Sequence, residues 1–294
     1  MSKKSKPTIS NHRKELIRLI EKAARTTSTW NVFNDFITVS ALSISNSSDS
    51  YHIANSEKVW NEREQQYLNI INKYDENTRP LFPQMFNELV AELQDAATSH
   101  YTDVLGEIFH ELEFHNKWAG QFFTPQHVSD LMALMTINSE TTAKAIKERG
   151  FITINEPCCG AGSLIIGAIN AMREINLNPS KQMLVVANDI DERCVMMCYI
   201  QLSLYGVPAV VIQQNTITMQ TYGSPWYTPV FIFDGWTWRF NRAFSQEYTK
   251  TKEAAVVPTT EYSPNESSDV SPEDVKVEPL TADEDEPFGQ LSLF

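Results

Sequence analysis

Cysteine, long apolar runs and basic charge are all scarce in this 294-residue chain, and each scarcity removes a class of function. The four cysteines fall as an adjacent pair, Cys158 and Cys159, and a helix-spaced pair, Cys194 and Cys198, with no CxxC spacing and no histidine close by in sequence. That pattern argues against a metal site, and the thiols are expected to pack as small buried hydrophobes. No segment approaches the roughly 18 uninterrupted apolar residues of a membrane span, and the lysines of MSKKSKPTIS have no apolar run behind them. A cytoplasmic protein with no membrane partner is therefore expected. Its 42% hydrophobic and 21% charged residues are the composition of a globular chain, and its length allows one or two domains with a real core.

Lys and Arg number 24 against 37 Asp and Glu, for a net charge of −13. The imbalance is local. From Glu253 onward eleven acids face one lysine, which leaves the preceding body near −3. Such a body lacks the broad basic footprint of a DNA-binding domain but permits a local patch.

Residues 1–98 read as a helical region. HRKELIRLIEKAA, WNVFNDFITVSAL, SEKVWNEREQQYLNIINKY and PQMFNELVAELQDA all repeat apolar residues at three and four spacing, and the polar SISNSSDS reads as a loop between them. Two more helices are expected over DVLGEIFHELEF and PQHVSDLMALMT, with Thr124 capping the second and Pro125 in its first turn.

From residue 151 the pattern alternates. FITIN, MLVVAN, AVVIQQ and PVFIF are short β-branched or apolar runs, and helices over about 162–173 and 191–204 separate the first three. This predicts an α/β fold with a doubly wound parallel sheet in a domain over 99–249. The segment 250–294 is rich in Pro, Ser, Thr and acids and predicts a disordered tail.

In such a sheet, ligands sit beyond the carboxyl ends of the strands. NEPCCGAGSLIIGA places Gly160 and Gly162 there, where a bare backbone approaches a ligand closely, and Asp189 ends the next strand, where a carboxylate can accept from two ribose hydroxyls. The plainer alternatives are an ordinary strand-to-helix turn and a helix cap at Asp189.

The order GQFFTPQHVSDLM, NEPCCGAGSL, ANDID resembles the adenine-specific DNA methyltransferases, particularly the modification subunits of type I restriction systems and their phage or plasmid relatives. DVLGEIFHEL resembles their lead-in helix, and the likeness covers residues 100–238. It implies a Rossmann-like core that binds S-adenosylmethionine, whose sheet the strands missing after Arg242 would leave shortened. By position, Phe122, Phe123, Thr124 and Pro125 would lie against the methionine end of the cofactor and Glu156 near its amino group. Gly160 and Gly162 would form the turn, Asp189 would take the ribose hydroxyls, and Asn215 would lie near the adenine ring. Core packing is the alternative for Phe122 and Phe123.

The family holds the target adenine with Asn or Asp, two prolines and an aromatic residue, whose acceptors orient the exocyclic amine once the base is flipped out. This chain has no such Pro-Pro motif. SPWY, residues 224–227, resembles it in spelling but follows a poor strand. FIFDGW has the strand-then-acid order, making Asp234 the candidate catalytic acceptor and Trp236 the candidate stacking residue. After Arg242 no further strands are evident, where a complete family sheet has about three more. In GWTWRFNR, Arg239 and Arg242 among aromatics suit DNA contact, or else snorkel from a closed sheet edge. The basic face of Arg13, Lys14, Arg18, Lys22 and Arg25 suits the same role, or simple solvation.

The chain ends QLSLF, after DEDEP. This resembles the pentapeptide by which bacterial proteins dock on the replication sliding clamp, with Gln290 reaching one site and Leu291, Leu293 and Phe294 an apolar pocket. A tether of about 40 residues spans roughly 35 Å and raises the local concentration of the body on clamped DNA. Three functions fit: a clamp-recruited S-adenosylmethionine-dependent adenine methyltransferase, an inactive methyltransferase-like regulator or anti-restriction docking protein, and a modification subunit needing a specificity partner.

Overall fold

A computed structural model of the chain describes residues 10–25, 27–112, 124–137 and 139–244. All of these fall within one compact unit, Met1–Thr249. Phe122, Phe123 and the whole of 250–294, with Gln290, Leu291, Leu293 and Phe294, lie outside the described residues.

Four helices open the chain: α1 (Asn11–Ala23), α2 (Thr29–Ser48), α3 (Glu57–Ile71) and α4 (Leu81–Ser99). Ser10, Ser28 and Ser56 precede the first three in extended conformation, and each hydroxyl accepts the amide of the residue three positions on. These serine caps fix the starts. The loop expected over SISNSSDS is instead the last two turns of α2, carried as far as Ser48. Its polar groups are bonded in place: Ser45 Oγ accepts from the buried Arg63, Asn46 donates to the Trp60 carbonyl, and Ser48 donates back to the Ile44 carbonyl.

Next come α5 (Val104–Glu111), α6 (Gln126–Thr136) and α7 (Ser139–Arg149), the last without a counterpart in the sequence reading. The cap of α6 is Pro125, with no side-chain cap bond, so Thr124 does not cap the helix. The sheet is built from β1 (Ile152–Glu156), β2 (Met183–Asp189) and β3 (Ala209–Asn215), parallel and in that order, with α8 (Ser163–Glu174), the short α9 (Pro179–Gln182) and α10 (Glu192–Leu204) between them. Three of the four expected strands are thus present.

The fourth is different. PVFIF forms the helix α11 (Pro229–Phe233), started by Pro229 in its first turn. The outer edge of β3 is instead taken by two short antiparallel pieces of one returning strand, β4 (Gln220–Thr221) and β5 (Trp226–Tyr227). Helix resumes over 236–244. The N-terminal helices share one apolar core with α8, α10 and one sheet face, running from Leu16 through Phe36, Leu89 and Ile166 to Val211. A smaller cluster of Phe151, Leu184, Val210, Phe231, Ile232 and Trp236 closes the other face near the strand starts. Among the described residues β1 has a strand neighbour on one side only.

Candidate cofactor site

β1 ends at Glu156, and the chain turns through Gly160 (φ 53°) and Gly162 (φ 105°) into α8. Both angles lie in the region that only glycine occupies without strain. At Gly162 a Cβ would also come 3.3 Å from Cys198 Sγ, so the turn lies directly on α10. Cys159, Cys194 and Cys198 are buried there, as expected of small hydrophobes, and Cys158 is exposed.

Asp189 ends β2 beside this turn. Its Oδ2 accepts from Gly160 N at 2.9 Å and its Oδ1 from Asp191 N at 2.9 Å. It is therefore built into the turn, while Asp191 caps α10 and pairs with Arg193. Glu156 Oε1 accepts from Cys158 N at 3.1 Å. Burial pushes the Glu156 carboxyl above its ordinary range, and the neighbouring Asp189 charge pushes in the same direction. Burial raises Asp189 as well, against backbone bonds from Asp191, Gly160 and Ile190 that lower it. Among the described residues neither carboxylate has a Lys or Arg ion-pair partner. Two half-buried acids therefore lie close together with spare lone pairs and, among the described residues, no ion-pair partner.

Thr124 arrives at the same place. Its carbonyl accepts from Ser163 Oγ at 2.9 Å, and Ser163 in turn shares a 2.6 Å hydrogen bond with Ser129 of α6. The first turn of α8 thus holds Thr124–Pro125 against the glycine turn, and a Cβ on Gly167 would clash with the Ser129 carbonyl at 2.7 Å. Asn215 ends β3 on the same rim. Its Oδ1 accepts from Ile217 N and Thr218 N and so shapes the following turn. Thr124, Pro125, Glu156, Gly160, Gly162, Asp189 and Asn215 are consequently gathered at the carboxyl ends of three adjacent strands.

One supporting residue escaped the sequence reading. Gln201, wholly buried in α10, donates to the Ala161 carbonyl in the turn at 2.7 Å and to Asp103 Oδ1 at 2.8 Å, and accepts from Leu105 N at 3.1 Å. Asp103 caps α5 through Gly106 N, and burial raises its pKa to about 6. The lead-in helix is fastened to the glycine turn through this amide. A single glutamine inside a helix carries no local signal of such a role.

The other candidates lie at the opposite end of the sheet. Asp234 follows α11 and makes a 2.5 Å ion pair with Lys181, just before the start of β2. Trp236 is fully buried, edge-on to Phe151 at the start of β1 with ring centroids 5.2 Å apart. Arg239 stacks 3.7 Å from the Trp236 ring centre and donates to the Lys181 carbonyl, and the exposed Arg242 rests on Trp238. None of the four reaches the glycine turn, because the strand expected to carry them there is a helix.

SPWY runs along the far edge of β3. Its Ser224 and Pro225 carbonyls accept from the buried Arg63, which also stacks on Trp226 at 4.0 Å. In the basic N-terminal face, Arg13 bridges Glu92 and Glu107, and Arg18 pairs with Glu15. A groove of about 730 Å³ opens on α2 and α3, where Lys58 and Lys73 already pair with Glu62 and Asp35. No residue of the glycine turn lines it.

A family model described as N-6 DNA Methylase matches residues 100–271, more than half of the chain. The chain belongs to the N-6 DNA methylase family. That family's methyl donor is S-adenosylmethionine. A search of curated proteins returned no significant match. Among solved structures, the methyltransferase subunit of a type I restriction-modification system from Streptococcus thermophilus aligns at 16% identity and a TM-score of 0.34. The alignment covers 68% of this methylase-family chain and 58% of the other, a likeness too distant to argue from. Among the described residues no helix is long and apolar enough to cross a membrane, and no cluster of His, Cys, Asp and Glu could hold a metal ion.

Proposed function

We propose that this chain binds S-adenosylmethionine at the glycine turn and serves in methylation of the adenine amine in DNA, to which the bacterial sliding clamp recruits it. The observation that carries the reading is the pair of half-buried carboxylates, Glu156 and Asp189, beside two positive-φ glycines and without a cation among the described residues. A nucleoside bearing a sulfonium and an ammonium brings positive charge to this pair, and its ribose supplies donors for a carboxylate.

When bound, the cofactor offers an electrophilic methyl group. Glu156 holds the amino end, Asp189 accepts from the ribose, and Gly160 and Gly162 let the backbone come close. Thr124 and Pro125 close the methionine side, where Phe122 and Phe123 of the same segment would join them, and Asn215 bounds the adenine side. Asp234 and Trp236 would have to leave the Lys181 ion pair and the Phe151 contact to meet an adenine, so neither is assigned to the transfer step. Arg239 and Arg242 are likewise not assigned to the DNA contact, since they face the same end.

A second reading has its own support. In SPWY, the stretch that resembles the family motif, both the Ser224 and the Pro225 carbonyls already accept from the buried Arg63. This favours a methylase-family module that binds cofactor without transferring methyl by itself, as a regulator or as a subunit completed by a specificity partner. The deciding experiment incubates purified protein with labelled S-adenosylmethionine and unmethylated DNA, with and without the clamp, and digests the DNA to nucleosides. Labelled N6-methyl-2′-deoxyadenosine supports the enzyme, and binding without transfer supports the second reading. Removing Gln290–Phe294 is expected to abolish clamp binding and leave cofactor binding intact; equal clamp affinity in both forms would remove the recruitment step.

A further inference from the structure

The strand register makes β3 overshoot its neighbours. Glu156 is level with Ala187, and Ala187 with Val211, so Asn215 stands four residues beyond the end of β1. At about 3.3 Å per residue that is roughly 13 Å. The β3–β4 hairpin is therefore a finger raised beside the glycine turn, on the side where the strands end.

Its tip is unusual for a chain of net charge −13. Ile217 is 94% exposed and Met219 58% exposed, with Ile190 also exposed on the β2 rim. The tip is held in shape: Asn215 Oδ1 accepts from Ile217 N and Thr218 N, Met219 adopts a left-handed φ of 59°, and Gln214 donates to the Met219 carbonyl. Gln213 donates to the Ile190 carbonyl and ties the finger to the rim. The backbone of the tip is thus fixed while the Ile217 and Met219 side chains stand mostly in water.

The chemistry of the finger selects its partner. No residue from Cys194 to Phe233 is charged, and the finger's flanks carry only amides and hydroxyls, at Gln213, Gln214, Thr216, Thr218 and Gln220. Beyond the acids at its foot, Asp189 and Asp191, the finger itself adds no charge, and neutral donors are available there to phosphates and base edges. An adenine can reach a methyl donor at this rim only after leaving its stack, and apolar wedges are a general means of opening a base step.

Resting on the cofactor reading above, we propose that the β3–β4 hairpin is a wedge for duplex DNA, with Ile217 entering the stack beside the extruded adenine and Met219 backing it. The test compares the full-length chain with Ile217→Ser, both loaded with S-adenosylmethionine at low ionic strength. Three DNAs are used: an adenine-containing duplex, the same duplex with one abasic site, and the single strand. Ile217→Ser is expected to bind the intact duplex at least tenfold more weakly and to stay within twofold on the other two, where no stack has to be opened. Its melting temperature and cofactor affinity should match the unaltered chain, because the side chain is almost wholly in water.

Equal loss on all three DNAs, or no loss on any, overturns the wedge. So does unchanged DNA binding accompanied by loss of clamp binding or self-association, which would make the tip a protein contact. Failure of the unaltered chain to bind the cofactor overturns the site reading instead, and the three DNAs then still decide the hairpin.

Discussion

The two ends of the same three parallel strands are built on opposite terms. At the carboxyl ends, Glu156 and Asp189 share a half-buried space with no Lys or Arg ion-pair partner among the described residues, beside a turn through two positive-φ glycines. At the amino ends, Asp234 has Lys181, Arg239 has the Trp236 face and the Lys181 carbonyl, and Trp236 fills the sheet face against Phe151. Acid and aromatic residues are present at both ends. What separates a binding rim from a closing cap is whether their charges and faces are already occupied.

That contrast is broken most severely at Trp236. Truncation to Ala removes a fully buried ring and is expected to cost about 3–5 kcal/mol in chemical denaturation. Cofactor affinity of the folded fraction should be unchanged, and its loss would mean the two ends are not separate.

A nearly equal effect, dependent on pH, is expected at Asp103. Its folded pKa of about 6 lies above the ordinary 3.8, so the folded state binds the proton more tightly than the unfolded chain. Stability from this group is complete below about pH 4 and is lost as pH rises through about 6, a change of about 3 kcal/mol. Asp103→Asn keeps an acceptor for Gly106 N and should flatten that part of the stability–pH curve. A slope that survives the substitution would place the titration elsewhere.

Gly162→Ala forces a side chain into φ 105° and toward Cys198 Sγ, for an expected loss of about 1–3 kcal/mol and weaker cofactor binding. The smallest effect belongs to Asp234→Asn. Its partner Lys181 is more than half exposed, so the loss should stay below about 1 kcal/mol with cofactor binding intact.

Much of this arrangement is legible in the residues themselves. The β-branched runs of 151–215 and the helices between them follow from periodicity, and Gly160, Gly162 and Asp189 converge because parallel strands bring their carboxyl ends to one rim. PVFIF misleads because a five-residue apolar run has no period of its own. The Thr228–Pro229 step, extended residue then proline, was the local sign of a helix start. SISNSSDS misleads for a tertiary reason: serine and asparagine disfavour a helix interior, but here Arg63 bonds Ser45 and α3 supplies the Trp60 carbonyl to Asn46. Gln201 is invisible for the same reason, since its bonds reach residues 40 and 98 positions away.

Titration calorimetry of S-adenosylmethionine against the full-length chain and Asp189→Ala tests the rim most directly. One cofactor per chain is expected for the unaltered protein, with affinity at least tenfold weaker in the variant, the loss of charge-assisted hydrogen bonds of about 1.5–3 kcal/mol. Binding of equal strength by both, or no binding by a folded unaltered chain, would contradict a cofactor site between Glu156, Asp189 and the glycine turn.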